Sequence, residues 1–368
     1  MKVFMASTSF PRSAGDWRGR FIADMAASIA RIPDVGLDLW APPGELPPGV
    51  GDAASPGDAA WLEALTERGG IAHLLRTSPM RAGWSGAGLL YRLRRALGRS
   101  VADVAHINWL QNALALAGSR TPAVITVLGT DFALLRKPGM VPALRAVMRS
   151  RRCLIAPNAG WMVPELERRF GDVAEIAPIH FGVNRDWFEV ERSNDAVARR
   201  SWLVVSRITP EKLGHLVEWG EGLFGADRTL HLLGPMQEPM ELPDWIRHHG
   251  PTGPEALRRE WFPQATGLLT LSRHDEGRPQ VMIEAMAAGL PVIATDLPAH
   301  RDLLASGETG MLVGTRNELD AALATLEEAE QNRRIGNNAR RWITDHIGTW
   351  DDAASRFVAA YRRVLEPA

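Results

Sequence analysis

The chain has 368 residues and a mass of 40.4 kDa, a length that predicts about two domains. Its 45% hydrophobic and 23% charged residues are typical of globular proteins and exclude a disordered or fibrous chain. The single cysteine, Cys153, excludes an intramolecular disulfide framework and a cysteine-rich metal site, so we expect a cytoplasmic protein. We predict neither a signal peptide nor a membrane span, because no stretch approaches the ~18 apolar residues of a span.

The net charge is −1, but positive charge is concentrated in the N-terminal half. Residues 68–102 contain seven arginines and no acidic residue, and residues 132–164 contain six basic residues and again no acid. Such segments are either solvated faces or surfaces for an anionic lipid or a phosphorylated acceptor. They contain no recognised nucleic-acid motif, so we expect no nucleic-acid partner. For a membrane, we expect peripheral contact at the inner leaflet, through a helix over 88–98.

The first predicted elements are a strand at "KVFMAST", a turn at "SFPRSAGDWRG" and a helix at "RFIADMAASIARI". In that helix Phe21, Met25 and Ile29 recur at the helical period. Further strands are predicted at "VGLDLWAP", "GGIAHLL", "VADVAHINW" and "PAVITVLGTD", with helices such as "GLLYRLRRALG" and "MVPALRAVMRS" between them. This alternation predicts a parallel sheet with helices on both faces.

The same alternation restarts in the second half of the chain. Strands are predicted at "SWLVVSRITPEK", "TLHLLGPM" and "TGLLTLS", with helices at "GHLVEWGEGLF" and "PEALRREWFPQ". We therefore predict an N-terminal domain over 1–190 and a C-terminal domain over 200–345, joined by the polar segment "FEVERSNDAVARR". In such sheets ligands bind beyond the carboxyl ends of the strands.

The segment "RHDEGRPQVMIEAMAAGLPVIATD" combines a helix start with two glutamates. Pro279 suits the first helical position, and "GLP" suits a helix stop, so a helix is predicted over 279–288. Its free N–H groups and positive dipole end form a seat for a phosphate beside Gly277 and Arg278. Glu276 and Glu284 flank this seat and could accept hydrogen bonds from the hydroxyls of a nucleotide sugar. A chance pair of glutamates is the alternative interpretation.

A second candidate site lies in "VVSRITPEKLG". Arg207 and Lys212 follow a predicted strand end, five positions apart, in a loop that Pro210 constrains. Two such cations can hold a diphosphate, arginine through its planar fork and lysine as a point charge. Taken alone, they could equally be exposed loop cations.

These two segments together resemble a known family. "EGRPQVMIEAMAAGLPVIATD" resembles the paired-glutamate motif of the retaining GT-B glycosyltransferases of family 4 (glycosyl transferases group 1), and "SRITPEK" resembles their diphosphate loop. Further resemblances follow in the family's order at "TSFPRSAGDWRGRFIADMA", "DVAHINW", "VITVLGTD", "FGVNRDWF" and "WDDAASRFVAAYRRVL". The resemblance implies an α/β GT-B fold, with two Rossmann-like doubly wound domains facing across a cleft. It also implies a C-terminal helix, over 346–368, that returns to the N-terminal domain.

The resemblance also implies roles for single residues. Arg207 and Lys212 would bind the donor diphosphate, Glu284 the ribose, and Glu276 the transferred sugar. Backbone amides of the segment 277–280 would add phosphate contacts, and Gly15 would close over the donor. The donor-binding set is therefore Gly15, Arg207, Lys212, Gly277, Arg278, Pro279, Gln280 and Glu284.

Two strand ends depart from the family pattern. The usual His-x-His reads "HIN" from His106, and the usual His-Gly-Thr/Ser-Asp turn reads "LGTD", ending at Asp131. His106 is a candidate for contact with the donor sugar or the acceptor, or else a strand histidine of the core. Asp131 is a candidate for orienting the acceptor, or else a turn cap. With Glu276 they form the candidate catalytic set.

The predicted activity is sugar transfer, with retained configuration, from a UDP- or GDP-sugar to an envelope-glycan, lipid-linked or small-molecule acceptor. Positive groups at the diphosphate would stabilise the leaving charge, and the chain has no Asp-x-Asp motif, so we expect neither a metal nor a cofactor. A nicotinamide dehydrogenase is disfavoured because G-x-G-x-x-G is absent. Epimerisation or hydrolysis of a nucleotide sugar, or a non-catalytic binding protein of the same fold, remain alternatives.

Overall fold

The computed structural model describes residues 1–13, 15–70, 79–274 and 277–366. The chain divides into two compact units. Unit 1 comprises Met1–Phe181 and Trp350–Ala368, and unit 2 comprises Gly182–Thr349. The sequence placed the first boundary at 190–200, whereas the structure has it between Phe181 and Gly182. It placed the second at 345–346, whereas the structure has it between Thr349 and Trp350.

Unit 1 contains a seven-stranded parallel sheet in the order β3-β2-β1-β4-β5-β6-β7. Its strands are β1 (Lys2–Ala6), β2 (Gly36–Trp40), β3 (Val50–Asp52), β4 (Val104–Asn108), β5 (Ala123–Val127), β6 (Cys153–Pro157) and β7 (Glu175–Ile176). The central strands β4, β5 and β6 are buried along their whole length, as expected for parallel strands covered on both faces.

The helices of unit 1 cover both faces of this sheet. The α-helices before the last strand are α1 (Arg20–Ala30), α2 (Pro56–Glu67), α3 (Pro79–Arg99), α4 (Met140–Met148) and α5 (Val163–Phe170). The 3₁₀ turns are Leu110–Leu116, Thr130–Arg136 and Gly160–Met162. One hydrophobic cluster includes Leu62 of α2 and Leu93 of α3, and the other includes Ile22 of α1. The strand predicted at "GGIAHLL" lies largely outside the described residues, and β3, β6 and β7 were not predicted.

Unit 2 contains a six-stranded parallel sheet in the order β10-β9-β8-β11-β12-β13. Its strands are β8 (Ser201–Val205), β9 (Thr229–Leu233), β10 (Ile246–His248), β11 (Gly267–Thr270), β12 (Val292–Thr295) and β13 (Met311–Val313). Its helices are α6 (Pro210–Leu213), α7 (Leu216–Gly220), α8 (Pro254–Ala256), α9 (Phe262–Gln264), α10 (Gln280–Ala287), α11 (Pro298–Arg301), α12 (Arg316–Leu326) and α13 (Ala329–His346), with a 3₁₀ turn at Arg185–Trp187 and a π turn at Leu257–Trp261. The predicted helix "PEALRREWFPQ" is therefore interrupted by a π turn.

The last helix, α14 (Trp350–Leu365), packs in unit 1. Its buried face includes Phe357 and Tyr361, which join the hydrophobic cluster that contains α1. The Arg31 guanidinium bonds to the Asp351 carboxylate at 2.5 Å. The predicted class of two parallel-sheet, Rossmann-like domains is confirmed. Within the described part of the chain, no helix is both long enough and apolar enough to cross a membrane.

Candidate donor-binding site

The residues predicted to bind a diphosphate lie at one edge of the sheet of unit 2. Because β8, β9, β11 and β12 are parallel neighbours, their carboxyl ends meet at the same edge. Arg207 follows the end of β8, and the loop that leads to Gly277 follows the end of β11. The topology therefore places both predicted segments on neighbouring strand ends.

Direct hydrogen bonds join the loops that follow β8 and β11. The N–H of Arg273 donates to the carbonyl oxygen of Glu211 at 2.9 Å, and the Ser272 hydroxyl donates to the same oxygen at 3.2 Å. The N–H of His215 donates to the carbonyl oxygen of Leu271 at 2.9 Å. The loop that carries Lys212 is thus attached to the segment that precedes Glu276.

Gly214 allows these loops to lie so close together. Its φ is +57°, and an added Cβ would stand 2.0 Å from the carbonyl oxygen of Leu271. A residue with a side chain would meet both left-handed backbone strain and a clash with main-chain atoms. Gly214 was not assigned a role from sequence, although its place directly after the short "PEKL" turn is a signal that could have indicated one.

The two candidate cations have defined positions, since Arg207 lies in the loop after β8 and Lys212 lies in the short helix α6 that follows. The Thr209 hydroxyl caps α6 by accepting from the N–H of Lys212 at 3.3 Å, and Pro210 occupies the first turn. Arg207 is exposed, and its Nη1 lies 3.5 Å from Oε1 of Gln237. At Gly234, an added Cβ would stand 1.8 Å from the carbonyl oxygen of Ser206, so the chain after β9 packs directly against this loop.

Helix α10 begins at Gln280, with Pro279 as the capping residue, and ends at Ala287. The predicted helix, 279–288, was thus one residue longer at each end. Helix geometry leaves the first N–H groups of α10 without intrahelical acceptors. The side chain of Gln280 donates from Nε2 to the carbonyl oxygen of Gly182 at 2.9 Å, so it holds the start of unit 2. Glu284, one turn further along, is half-buried.

The Arg278 side chain turns into the interior of unit 2. It is 2% exposed and forms an ion pair with Asp302, the residue that follows α11. Burial lowers the pKa of the Arg278 guanidinium, and the Asp302 carboxylate opposes that shift. Its Nε and Nη1 have no hydrogen-bond partner among the residues the structure describes. At this position only the backbone is a candidate for a phosphate contact.

Glu276 and Gly15 are two further residues predicted to contact the donor. Glu276 lies outside the described residues. Gly15 occupies an exposed turn of unit 1, and nothing lies within 4 Å of a Cβ added there. No steric requirement of the fold therefore explains a glycine at this position.

His106 is a core residue of unit 1. It is fully buried in β4, with Nδ1 2.6 Å from the Tyr361 hydroxyl and Nε2 2.7 Å from the Thr126 hydroxyl. Burial lowers the pKa of His106 to about 3, so the ring is neutral near pH 7. Both ring nitrogens are occupied within the unit, which favours the packing interpretation over direct contact with a substrate.

Asp131 is also buried and caps two strand ends of unit 1. Its carboxylate accepts from the N–H of Leu128 at 3.0 Å and from the N–H of Leu110 at 2.9 Å. Burial raises the pKa of Asp131, and the backbone donors oppose that shift. This geometry favours the turn-cap interpretation over orientation of an acceptor.

In the described ranges, no three or more His, Cys, Asp or Glu side chains are grouped so that they could hold a metal ion.

The fold matches solved structures over nearly its whole length. Sucrose-phosphate synthase from Thermosynechococcus elongatus aligns with a TM-score of 0.74 at 16% identity, covering 99% of each chain. Anabaena HepE, solved with UDP and glucose, aligns with a TM-score of 0.64 at 14% identity, covering 99% of this chain and 100% of that one. At these identities the likeness shows the fold alone, which is the GT-B fold of glycosyltransferases.

Similarity in sequence agrees with that fold and points to one group of glycosyltransferases. Residues 243–342 match the family model described as glycosyl transferases group 1, so the chain contains a domain of that family. The chain is also similar to D-inositol 3-phosphate glycosyltransferase of Gordonia bronchialis, with 28% identity over 167 residues, which is 44% of this chain and 35% of that protein. The match thus spans about a third of the length of this curated relative.

Proposed function

We propose that this protein transfers a sugar from a nucleotide-diphosphate sugar to a hydroxyl of a glycan, a lipid-linked acceptor or a small molecule, with retained configuration and without a metal. The observation that carries the proposal is the hydrogen bond from Arg273 to Glu211, which attaches the Lys212 loop to the segment that leads into α10. This arrangement gathers two cations and a helix N-terminus at one sheet edge. The group 1 domain match supports the same reading.

In this proposal the residues of unit 2 bind and stabilise the leaving nucleotide. Arg207 and Lys212 offset the charge that develops on the diphosphate, and the first N–H groups of α10 add hydrogen bonds to it. Glu284 accepts hydrogen bonds from the ribose hydroxyls. Glu276 is proposed to contact the transferred sugar.

For the donor base, a uridine nucleotide is the first candidate and a guanosine nucleotide the second. HepE, which shares the fold, was solved with UDP and glucose. For the acceptor, the name of the Gordonia relative indicates a phosphorylated polyol as that protein's substrate. We propose an acceptor of related chemistry, a hydroxylated molecule that carries a phosphate or is joined to a lipid through one, at the cytoplasmic face of a membrane.

Donor binding can be tested by thermal shift with UDP, GDP and ADP and with their sugars. A ligand that binds only the folded state raises the apparent melting temperature. We expect one nucleotide series to do so, and we expect Lys212→Ala and Arg207→Ala each to weaken its binding by about 10- to 100-fold, because each removes a charge-assisted contact. Arg333→Ala is the matched control, since Arg333 is an exposed arginine of α13 in the same unit.

Transfer itself is tested with the nucleotide sugar that binds. Retention predicts that the product carries the donor's anomeric configuration, which NMR reads directly, and turnover should persist in EDTA. Undiminished binding by both Lys212→Ala and Arg207→Ala would show that the diphosphate site is assigned wrongly. Rapid conversion of the donor to another nucleotide sugar without an acceptor would instead indicate an epimerase.

A further inference from the structure

Helix α3 presents two large aromatic side chains to solvent. Trp84 is 82% exposed and Tyr91 is 67% exposed, and Val101, just beyond the helix end, is 78% exposed. Among the described residues these are the three large hydrophobic side chains with the greatest exposure. Trp84 and Tyr91 are seven residues apart, about two helical turns, so they lie on the same side of α3.

The opposite side of α3 packs against the core of unit 1 and anchors the helix. Leu89, Leu93 and Ala96 are buried in the core of unit 1. The exposure of Trp84 and Tyr91 therefore does not mean that α3 is detached from the core. The helix is amphipathic, and its apolar side is already buried. A second, outward apolar surface is what remains to be explained.

Positive charge accompanies the aromatic residues. Arg94 and Arg95 are exposed, three and four residues after Tyr91, on the next turn of the same helix. Neither has an ion-pair partner within the part of the chain that the structure describes. We call Trp84, Tyr91, Arg94 and Arg95 the α3 face.

The acidic side chains of the neighbouring helix α2 are already paired. The Asp58 carboxylate lies 3.2 Å from Nη1 of Arg92 and 3.4 Å from Nη2 of Arg99. Glu63 and Glu67 each lie 3.3 Å from Nη2 of Arg12. These carboxylates therefore leave the positive charge of the α3 face uncompensated.

A cavity of about 240 Å³ opens beside the α3 face, between α2 and α3. Its walls include the indoles of Trp61 and Trp84 and the exposed Arg68. Gly88 leaves room for this opening, because a Cβ added there would already stand 3.3 Å from the Trp61 ring. The lining of the cavity combines aromatic rings with a cation and is more polar than apolar, which suits the headgroup region of a lipid bilayer.

We propose that the α3 face docks on an anionic lipid bilayer. Tryptophan and tyrosine favour the boundary between headgroups and acyl chains, and arginines nearby favour anionic headgroups. A second copy of the chain is a poorer occupant of the α3 face. A symmetric contact would bring Arg94 and Arg95 of both copies together, and their positive charges would repel each other. The inference does not depend on sugar transfer, since vesicle binding is measured without a donor.

The test is flotation of the full chain with vesicles of phosphatidylcholine alone and of phosphatidylcholine with phosphatidylglycerol. We expect binding to the anionic vesicles only, decreasing as salt is added. Trp84→Ala/Tyr91→Ala and Arg94→Glu/Arg95→Glu should each reduce the bound fraction by at least about tenfold. Val217→Ala and Arg333→Glu, an exposed hydrophobic and an exposed arginine of unit 2, are the matched controls and should bind as the unmodified chain does.

Circular dichroism and melting temperature verify that each variant is folded, which is expected because every altered side chain is exposed. Two results would overturn the proposal on the bilayer itself: no flotation of the unmodified chain at low salt, or unchanged flotation of both double variants. A third result would reassign the α3 face to a contact between two copies of the chain: sedimentation showing that the unmodified chain is a dimer and that Trp84→Ala/Tyr91→Ala is a monomer.

Discussion

The backbone N–H of Arg273 donates a hydrogen bond to the carbonyl oxygen of Glu211 at 2.9 Å. The neighbouring contact from Ser272 to the same oxygen spans 61 positions of sequence. These bonds make the positions of Lys212 and of the segment before α10 depend on each other. A change that separates the two loops should therefore affect donor binding even where no proposed ligand contact is altered.

Gly214→Ala tests that dependence. The new Cβ would stand 2.0 Å from the carbonyl oxygen of Leu271, at a φ of +57° that disfavours alanine. We expect a loss of about 1–3 kcal/mol in the free energy of unfolding, from strain and displacement of the loop. We also expect weaker binding of the nucleotide identified by thermal shift. Urea unfolding and a binding titration measure the two effects.

Gly225→Ala is the control for this substitution. It lies in the same unit, and nothing lies within 4 Å of a Cβ added there. Its effect on unfolding should stay within about 0.5 kcal/mol, as for ordinary surface changes. Equal donor affinity in Gly214→Ala and Gly225→Ala would contradict the proposed coupling of the loops.

The elements of unit 2 that the sequence predicts, such as β8, β9, β11 and α10, follow hydrophobic runs and their punctuation, which are local signals, whereas the short strands β10 and β13 were not predicted. The start of α10 follows from Pro279 and its end from the glycine at 289, so the predicted helix differs by only one residue at each end. The three-residue strand β3 was missed because Val50 and Gly51 are only half-buried and give no periodic signal.

Contacts between distant segments could not be predicted in the same way. The partners of His106 are 20 and 255 positions away, and the buried acceptor role of Asp131 requires the chain near Leu110 to be in place. Sequence therefore left open a substrate contact or a core position for His106, and acceptor orientation or a turn cap for Asp131. Arg278 shows the same limit, because an arginine before a helix gives no sign that its side chain is directed inward.

The burial of His106 predicts a pH dependence of stability. Its pKa is about 3 in the folded protein, against an ordinary value of 6.5, so below pH 6.5 the unfolded chain binds a proton that the folded chain does not. The stability that neutral His106 contributes is complete above 6.5 and is lost as the pH falls toward about 3. The slope over this window is about 1.4 kcal/mol per pH unit for this one group.

His106→Gln removes this titration while keeping a polar side chain. Near pH 7 we expect the variant to be less stable by about 1–3 kcal/mol, because the bonds to Tyr361 and Thr126 are altered. That difference should narrow as the pH is lowered, as measured by urea unfolding at a series of pH values. His346→Gln, at an exposed histidine of unit 2, should leave the pH dependence close to that of the unmodified chain. A His106→Gln difference that stays constant with pH would contradict the assignment.

The buried ion pair of Arg278 and Asp302 predicts an order of stabilities among three variants. Asp302→Ala leaves the Arg278 guanidinium, 2% exposed, without its carboxylate, and should cost about 3–5 kcal/mol of unfolding free energy. Arg278→Met/Asp302→Ala removes the stranded charge as well, so it should be more stable than Asp302→Ala by about 1–4 kcal/mol. A double variant less stable than Asp302→Ala would show that the guanidinium stabilises unit 2 without Asp302. Arg278→Met alone keeps the backbone N–H, so it should retain donor binding, whereas loss of binding in a folded Arg278→Met protein would assign the donor contact to the side chain.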